Sequence, residues 1–186
     1  MKKKKRKEEL RNPWESNEWL DEFEKETDRG AALLGAAFAD AVLETTLRAF
    51  FVDDEKEADS LLGVNQPLGS FGSRIRLAYC LGFVTKSQFS DLLNIAKIRN
   101  EFAHRLHSLY FDSPKITGLC ANLLTPRQEM HMSVTNATCR QLFIWAVVIV
   151  CAQIRIKQPG IDERREKRRI PEEPKVTTHI SDIKGE

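Results

Sequence analysis

The stretch Ile98–His104 (IRNEFAH) sets an arginine, an amide, a carboxylate and a histidine into an otherwise apolar helical pattern. At about 100° per residue, Asn100 and His104 share one helix face, while Arg99 lies roughly 140° around from His104. A histidine with an ordinary pKa of about 6.5 takes or gives a proton at neutral pH. An arginine beside it can hold a phosphate through two hydrogen bonds and stabilise charge building on phosphorus. The amide of Asn100 can orient either group. These are the needs of metal-free RNA cleavage, in which a ribose 2′-hydroxyl attacks its own phosphate. One helix supplies one histidine, so a symmetric dimer is the natural source of a second. The structural alternative has Arg99 and Glu101 paired with other helices, Asn100 satisfying a backbone group and His104 hydrogen-bonded in a polar seam. By residue type alone, that alternative is favoured.

A second constellation joins Glu26, Asp28 and Arg29, just before Gly30, to Arg74 and Arg76, which follow the loop LGSFGS. Ser70, Ser73, Gly69 and Gly72 can present backbone N–H groups to an anion at a helix N-terminus, with Arg74 adding charge. The segment lacks the lysine of a P-loop and the strand that precedes a dinucleotide site. Here too the structural alternative is favoured: Asp28 or Glu26 pairs with Arg74 or Arg76 between helices, and the glycines permit a tight turn. His104 and His107 stand three apart with no third ligand at suitable spacing, and His131 falls in a loop between Met130 and Met132, so neither a metal nor any other cofactor is expected. Cys80, Cys120, Cys139 and Cys151 form no CxxC pair and sit among apolar neighbours, as reduced core residues do. Trp14, Trp19, Phe50, Phe51, Phe71 and Trp145 follow apolar faces and are expected to fill a core rather than stack bases.

The elements that must position these groups read as helices throughout. A first amphipathic helix opens at Trp14, and residues 30–52 recur with helical period, small residues between the large ones allowing close packing. The acidic run 53–59 ends that helix, and Ala58–Leu62 makes one short turn. The next helix starts at Ser70 or Ser73 and stops at Gly82. Thr85 and Gln88 form a capping box that opens a helix to about His107. Pro114 opens a short helix to Leu124, which Pro126 ends, and Thr135 or Ser133 caps the last helix, running to about Lys157. No strand pattern and no repeat emerges. The reading is a single all-α helical-bundle domain, about five long helices and one or two short ones, over residues 13–157. A basic leader (1–12) and a charged tail (158–186) flank it, both read as disordered.

The chain of 186 residues is 41% hydrophobic and 30% charged, which excludes collagen-like and disulfide-scaffold classes. Its net charge of +2 hides a segregation: the leader holds 7 basic against 2 acidic residues, the tail 7 against 7, and residues 13–157 hold 15 against 18. A body built to coat a phosphate backbone concentrates positive charge in its folded part, and no helix-turn-helix with a basic recognition face stands out. Sequence-specific DNA binding by the chain alone is therefore not expected, and any nonspecific nucleic-acid contact falls to Lys2–Lys7. The apolar run Leu142–Ala152 has 11 residues, short of a membrane span, and no apolar segment follows the leader as in a signal peptide, so no membrane association and a cytoplasmic location are expected.

Three segments, ETDRGAAL (Glu26–Leu33), LGSFGSRIRLAYCLGF (Leu68–Phe83) and IAKIRNEFAH (Ile95–His104), resemble, in this order and spacing, the mannitol operon repressor family. The likeness extends over about residues 20–157 and leaves out the basic leader and the charged tail. It implies an all-α transcriptional regulator without a recognised DNA-binding motif, working through a protein partner or as a homodimer. The string RNEFAH is also similar to the R-polar-x-x-x-H motif of the HEPN superfamily, whose members include toxin ribonucleases and plain nucleotide- or protein-binding modules. That resemblance implies, as the alternative, a metal-independent endoribonuclease acting on RNA, with Arg99 and His104 catalytic and Asn100 as polar helper.

Overall fold

A computed structural model describes residues 23–105, 109–129, 137–157 and Gly160. Of the expected first helix from Trp14 only the end is described, and residues 23–25 are helical there; the leader, residues 158–159, the tail beyond Gly160, His107, His131 and the Ser133 and Thr135 caps lie outside the described residues.

Helix α1 (Asp28–Phe50) starts where the Thr27 side chain accepts a hydrogen bond from the Gly30 N–H. Its buried face begins with Ala31, Ala32, Gly35, Ala36 and Ala39 and widens to Val42, Leu43, Leu47 and Phe50. The small residues bring a neighbour close: a Cβ added to Gly35 would stand 2.8 Å from Phe23 Cζ and 2.9 Å from Phe143 Cε1. Helix α2 (Glu55–Leu62) corrects the expectation of a single turn at Ala58–Leu62. Asp54 caps it, and Glu55 and Glu57 lie in its first turn, so the acids read as a helix stop instead favour a helix start, where the macrodipole is positive.

Helix α3 (Phe71–Cys80) is capped by Ser70, and the chain leaves it through Gly82 at φ +73°, a left-handed conformation that glycine adopts without penalty. Helix α4 (Lys86–His104) opens with the expected capping box between Thr85 and Gln88. Helix α5 (Pro114–Ala121) starts at its proline as expected. Pro126 sits in the first turn of a further helix, α6 (Thr125–Glu129), where a missing N–H costs nothing, so α5 stops earlier than the proline suggested. Helix α7 (Cys139–Ile156) is capped by Thr138, boxed with Gln141, a later start than expected.

The seven helices are all-α architecture, with no strand among the described residues. Helix α1 lies along α4 and α7; α3 packs on α1 and α4, α5 on α4 and α7, and α6 on α7. Leu43, Leu47, Ile95, Ile98, Phe102, Phe143 and Val147 fill the space between the three long helices. Phe111 closes one side, its ring centroid 5.1 Å from that of Phe102 and 5.3 Å from that of Phe143. With 23 and 18 residues, α1 and α7 are long and apolar enough to cross a membrane by length and composition. About half of each apolar stretch, 50% in α1 and 44% in α7, is buried inside the bundle.

Candidate functional site

On α4 the motif residues part company. Arg99 is half-buried on the side of the helix that meets α1, close enough to Asp40 to pull its carboxyl pKa down. Asn100 and His104 are exposed, one turn apart. Burial is the largest influence on Asp40 and outweighs the pull of Arg74 and Arg99, so its carboxyl sits above the ordinary aspartate range. Glu101 meets Lys115 Nζ of α5 at 2.6 Å and Arg105 Nε at 3.5 Å, and the lysine holds its carboxyl below the ordinary value. The helix thus presents an amide and a histidine to solvent while its arginine faces the carboxylate of a neighbour.

The second constellation is not brought together. Arg74, 6% exposed, spans to α1, where Nη1 meets Asp40 at 2.7 Å and Nη2 meets Glu44 at 3.0 Å, and it donates to the Leu62 carbonyl at 2.7 Å. Arg48 continues the network to Glu44 (2.9 Å) and to Asp59 of α2 (2.8 Å). Asp28 pairs with Arg140 of α7 at 2.7 Å and accepts from the Phe111 N–H at 2.9 Å. Arg140 Nη2 also donates to the carbonyls of Phe23, Glu24 and Glu26, the end of the segment that leads into α1. The expected pairing of Asp28 or Glu26 with Arg74 or Arg76 therefore does not form. Asp28 and Asp40 are twelve residues apart on one helix, about 18 Å, and one interhelical arginine cannot serve both.

Arg29 donates to the Arg105 carbonyl at 2.7 Å, tying the start of α1 to the end of α4. Glu26 turns its carboxylate over Gly30, where an added Cβ would meet Oε2. Ser70 caps α3 by accepting from the Ser73 N–H at 3.1 Å, with the two hydroxyls 2.7 Å apart. Arg76 is exposed. The glycine-serine turn is thus a helix cap, and its nearest cation is drawn into the α1–α3 seam.

Three groups went unnoticed in the sequence. Asp40 and Glu44 lie one turn apart on α1, spacing that sets two acids on one face amid apolar residues. Arg140 sits in the first turn of α7, where the helix dipole repels a cation, and such a placement calls for a carboxylate nearby. Asp91, fully buried on α4, accepts from the backbone N–H groups of Leu124 at 2.8 Å and Thr125 at 2.7 Å and so holds the start of α6. A lone acid inside FSDLLNIA was the available signal. Among the thiols, Cys120 and Cys151 are buried as expected, but Cys80 is exposed at the end of α3.

These contacts define an all-helical bundle whose helices are tied together by ion pairs and capped at their starts. The model of the mannitol repressor (MtlR) family matches residues 26–156, and the chain belongs to that family. Among solved structures, a chain of the MtlR–HPr complex from Escherichia coli is similar at a TM-score of 0.56 and 18% identity, covering 69% of this chain and 90% of that one. At that identity the likeness is one of fold. No curated protein matches the sequence.

Proposed function

We propose that this chain is a regulator of the mannitol repressor type that acts by binding a protein partner, in the cytoplasm, as a homodimer or with a companion protein, and without a DNA-binding motif of its own. The observation behind this reading is the family match over residues 26–156, joined to a fold like that of a chain crystallised with HPr. HPr is accordingly the first partner to test. The charge distribution supports the same reading: residues 13–157 hold 15 basic against 18 acidic side chains, and long duplex contacts need a positive surface. In a titration of the full chain with HPr from the same organism, saturable binding is expected. Tight, steeply salt-dependent binding of an operator duplex by the chain alone would overturn the reading.

A second reading, a metal-independent endoribonuclease, draws on the exposure of Asn100 and His104 and the half-burial of Arg99. In that reading His104 moves the proton and Arg99 holds the scissile phosphate, in a cleft shared by two subunits. Cleavage of varied RNAs in chelator, lost in His104→Ala while the variant stays folded, is its expected signature. Absence of cleavage by the wild type removes it.

A further inference from the structure

Charge is segregated within the bundle itself. Residues 53–59 hold five acids against Lys56 alone, whereas residues 63–100 hold five bases against one acid, Asp91, which is buried and accepts from the start of α6. Of those bases Arg74 is buried and Arg99 faces Asp40, which leaves Arg76, Lys86 and Lys97 exposed. None of the three comes within ion-pairing distance of a carboxylate among the described residues.

These cations share one surface. On α4, Lys86, Phe89, Leu93, Ala96, Lys97 and Asn100 fall within an arc of about 100°, a stripe about 20 Å long. Glu101, just outside the arc, is held by Lys115 and Arg105. Helix α3 runs beside the stripe: Arg74 and Arg99 both reach Asp40 at one end, and at the other the Tyr79 ring stacks on Phe89 with centroids 4.4 Å apart. Arg76 lies one turn before Tyr79 on the same side of α3. Tyr79 is 40% exposed, and Phe89, Leu93 and Ala96 are half-buried. The outcome is an apolar seam flanked by cations, with tyrosine and arginine, the side chains that most often anchor protein interfaces. Duplex nucleic acid, with one charge per about 1.7 Å, asks for denser cations than three over that length.

The complementary surface is on the chain itself. Glu55 and Glu57 of α2 are exposed and meet no cation among the described residues. Leu61, 40% exposed, follows Glu57 by one turn, and Val64 just beyond is 87% exposed. Each surface thus joins exposed apolar groups to unanswered charge, the two are of opposite sign, and a net charge of +2 sets little repulsion between copies.

We propose that two copies of this chain associate through these faces, the acidic, apolar-edged α2 of one docking on the α3–α4 seam of the other. This rests on the homodimer arm of the function proposed above. The full chain is followed by sedimentation velocity at about 50 mM and about 500 mM salt, the latter cutting the screening length to about 4 Å. The expected result is association at the lower salt, weakened at least about tenfold at the higher. Arg76→Glu with Lys97→Glu, and separately Glu55→Lys with Glu57→Lys, should each leave the chain monomeric. Mixing the two reversed variants should restore the complex, because each then carries the charges that the other lacks, and restoration shows that both are folded. A wild type that stays monomeric at the lower salt, association that survives either reversal, as contact through Lys2–Lys7 would, or a mixture that remains monomeric would overturn the proposal. HPr is then added to the same samples. A chain that binds HPr without self-association overturns the contact between copies and leaves the partner reading standing, whereas association and rescue without HPr binding support the contact and count against HPr.

Discussion

Asp40 and Glu44 flank a guanidinium that water scarcely reaches, and removing the cation leaves a half-buried carboxylate with its desolvation uncompensated. Arg74→Ala is therefore expected to lower stability by about 3 kcal/mol in urea unfolding at neutral pH. The sign of its pH dependence follows from Asp40, whose carboxyl already sits above the ordinary range because of burial. A folded-state pKa raised above the unfolded one favours the protonated form on folding, so the deficit should shrink as pH falls through the carboxylate range. A deficit that stays constant with pH would assign the loss to packing alone. The thiols give a second test at this scale. Burial pushes the Cys120 thiol up to about 12 and raises Cys151 as well, whereas Cys80 is exposed. Alkylation at pH 8 should modify Cys80 rapidly and leave Cys120 and Cys151 untouched until the chain unfolds. Rapid modification of either buried thiol would contradict the packing described.

Close approach is the property that matters in α1, α4 and α7, and Gly35 is where it is tightest. With ring atoms of Phe23 and Phe143 inside the space of a methyl group, Gly35→Ala should cost about 1–3 kcal/mol. That cost would fall despite the gain in helix propensity, and a rise in thermal midpoint would show that α1 and α7 pack more loosely. The long helices were legible in the sequence because their apolar period and caps agree: Thr85 with Gln88, Ser70 before Phe71, Gly82 after Cys80. Helix α2 was missed because the same acids end one helix and begin another, and periodicity cannot tell the two roles apart within a few residues. Pairing across helices was less legible still. The segment around Asp28 and that around Arg74 were both singled out, but their partners, Arg140 and Asp40, lie 112 and 34 residues away in the chain. Only the fold selects among so many possible mates.

Over the whole chain, the near-neutral charge resolves into a basic leader, a mildly acidic body and a balanced tail. Inside the body, most of the residues that the sequence marks as chemically interesting serve the architecture: Arg74 and Asp28 lock helices, Arg29 ties α1 to α4, and Ser70 caps. Asn100, His104 and Arg76 remain at the surface. These exposed side chains are open to the protein partner proposed above. The most direct measurement is calorimetric titration of the full chain with HPr from the same organism, alongside an operator duplex at two salt concentrations. The account predicts saturable binding of HPr that persists at the higher salt and no specific affinity for the duplex. Tight sequence-specific binding of the duplex, with HPr giving no heat and no retention at any concentration tried, would contradict it.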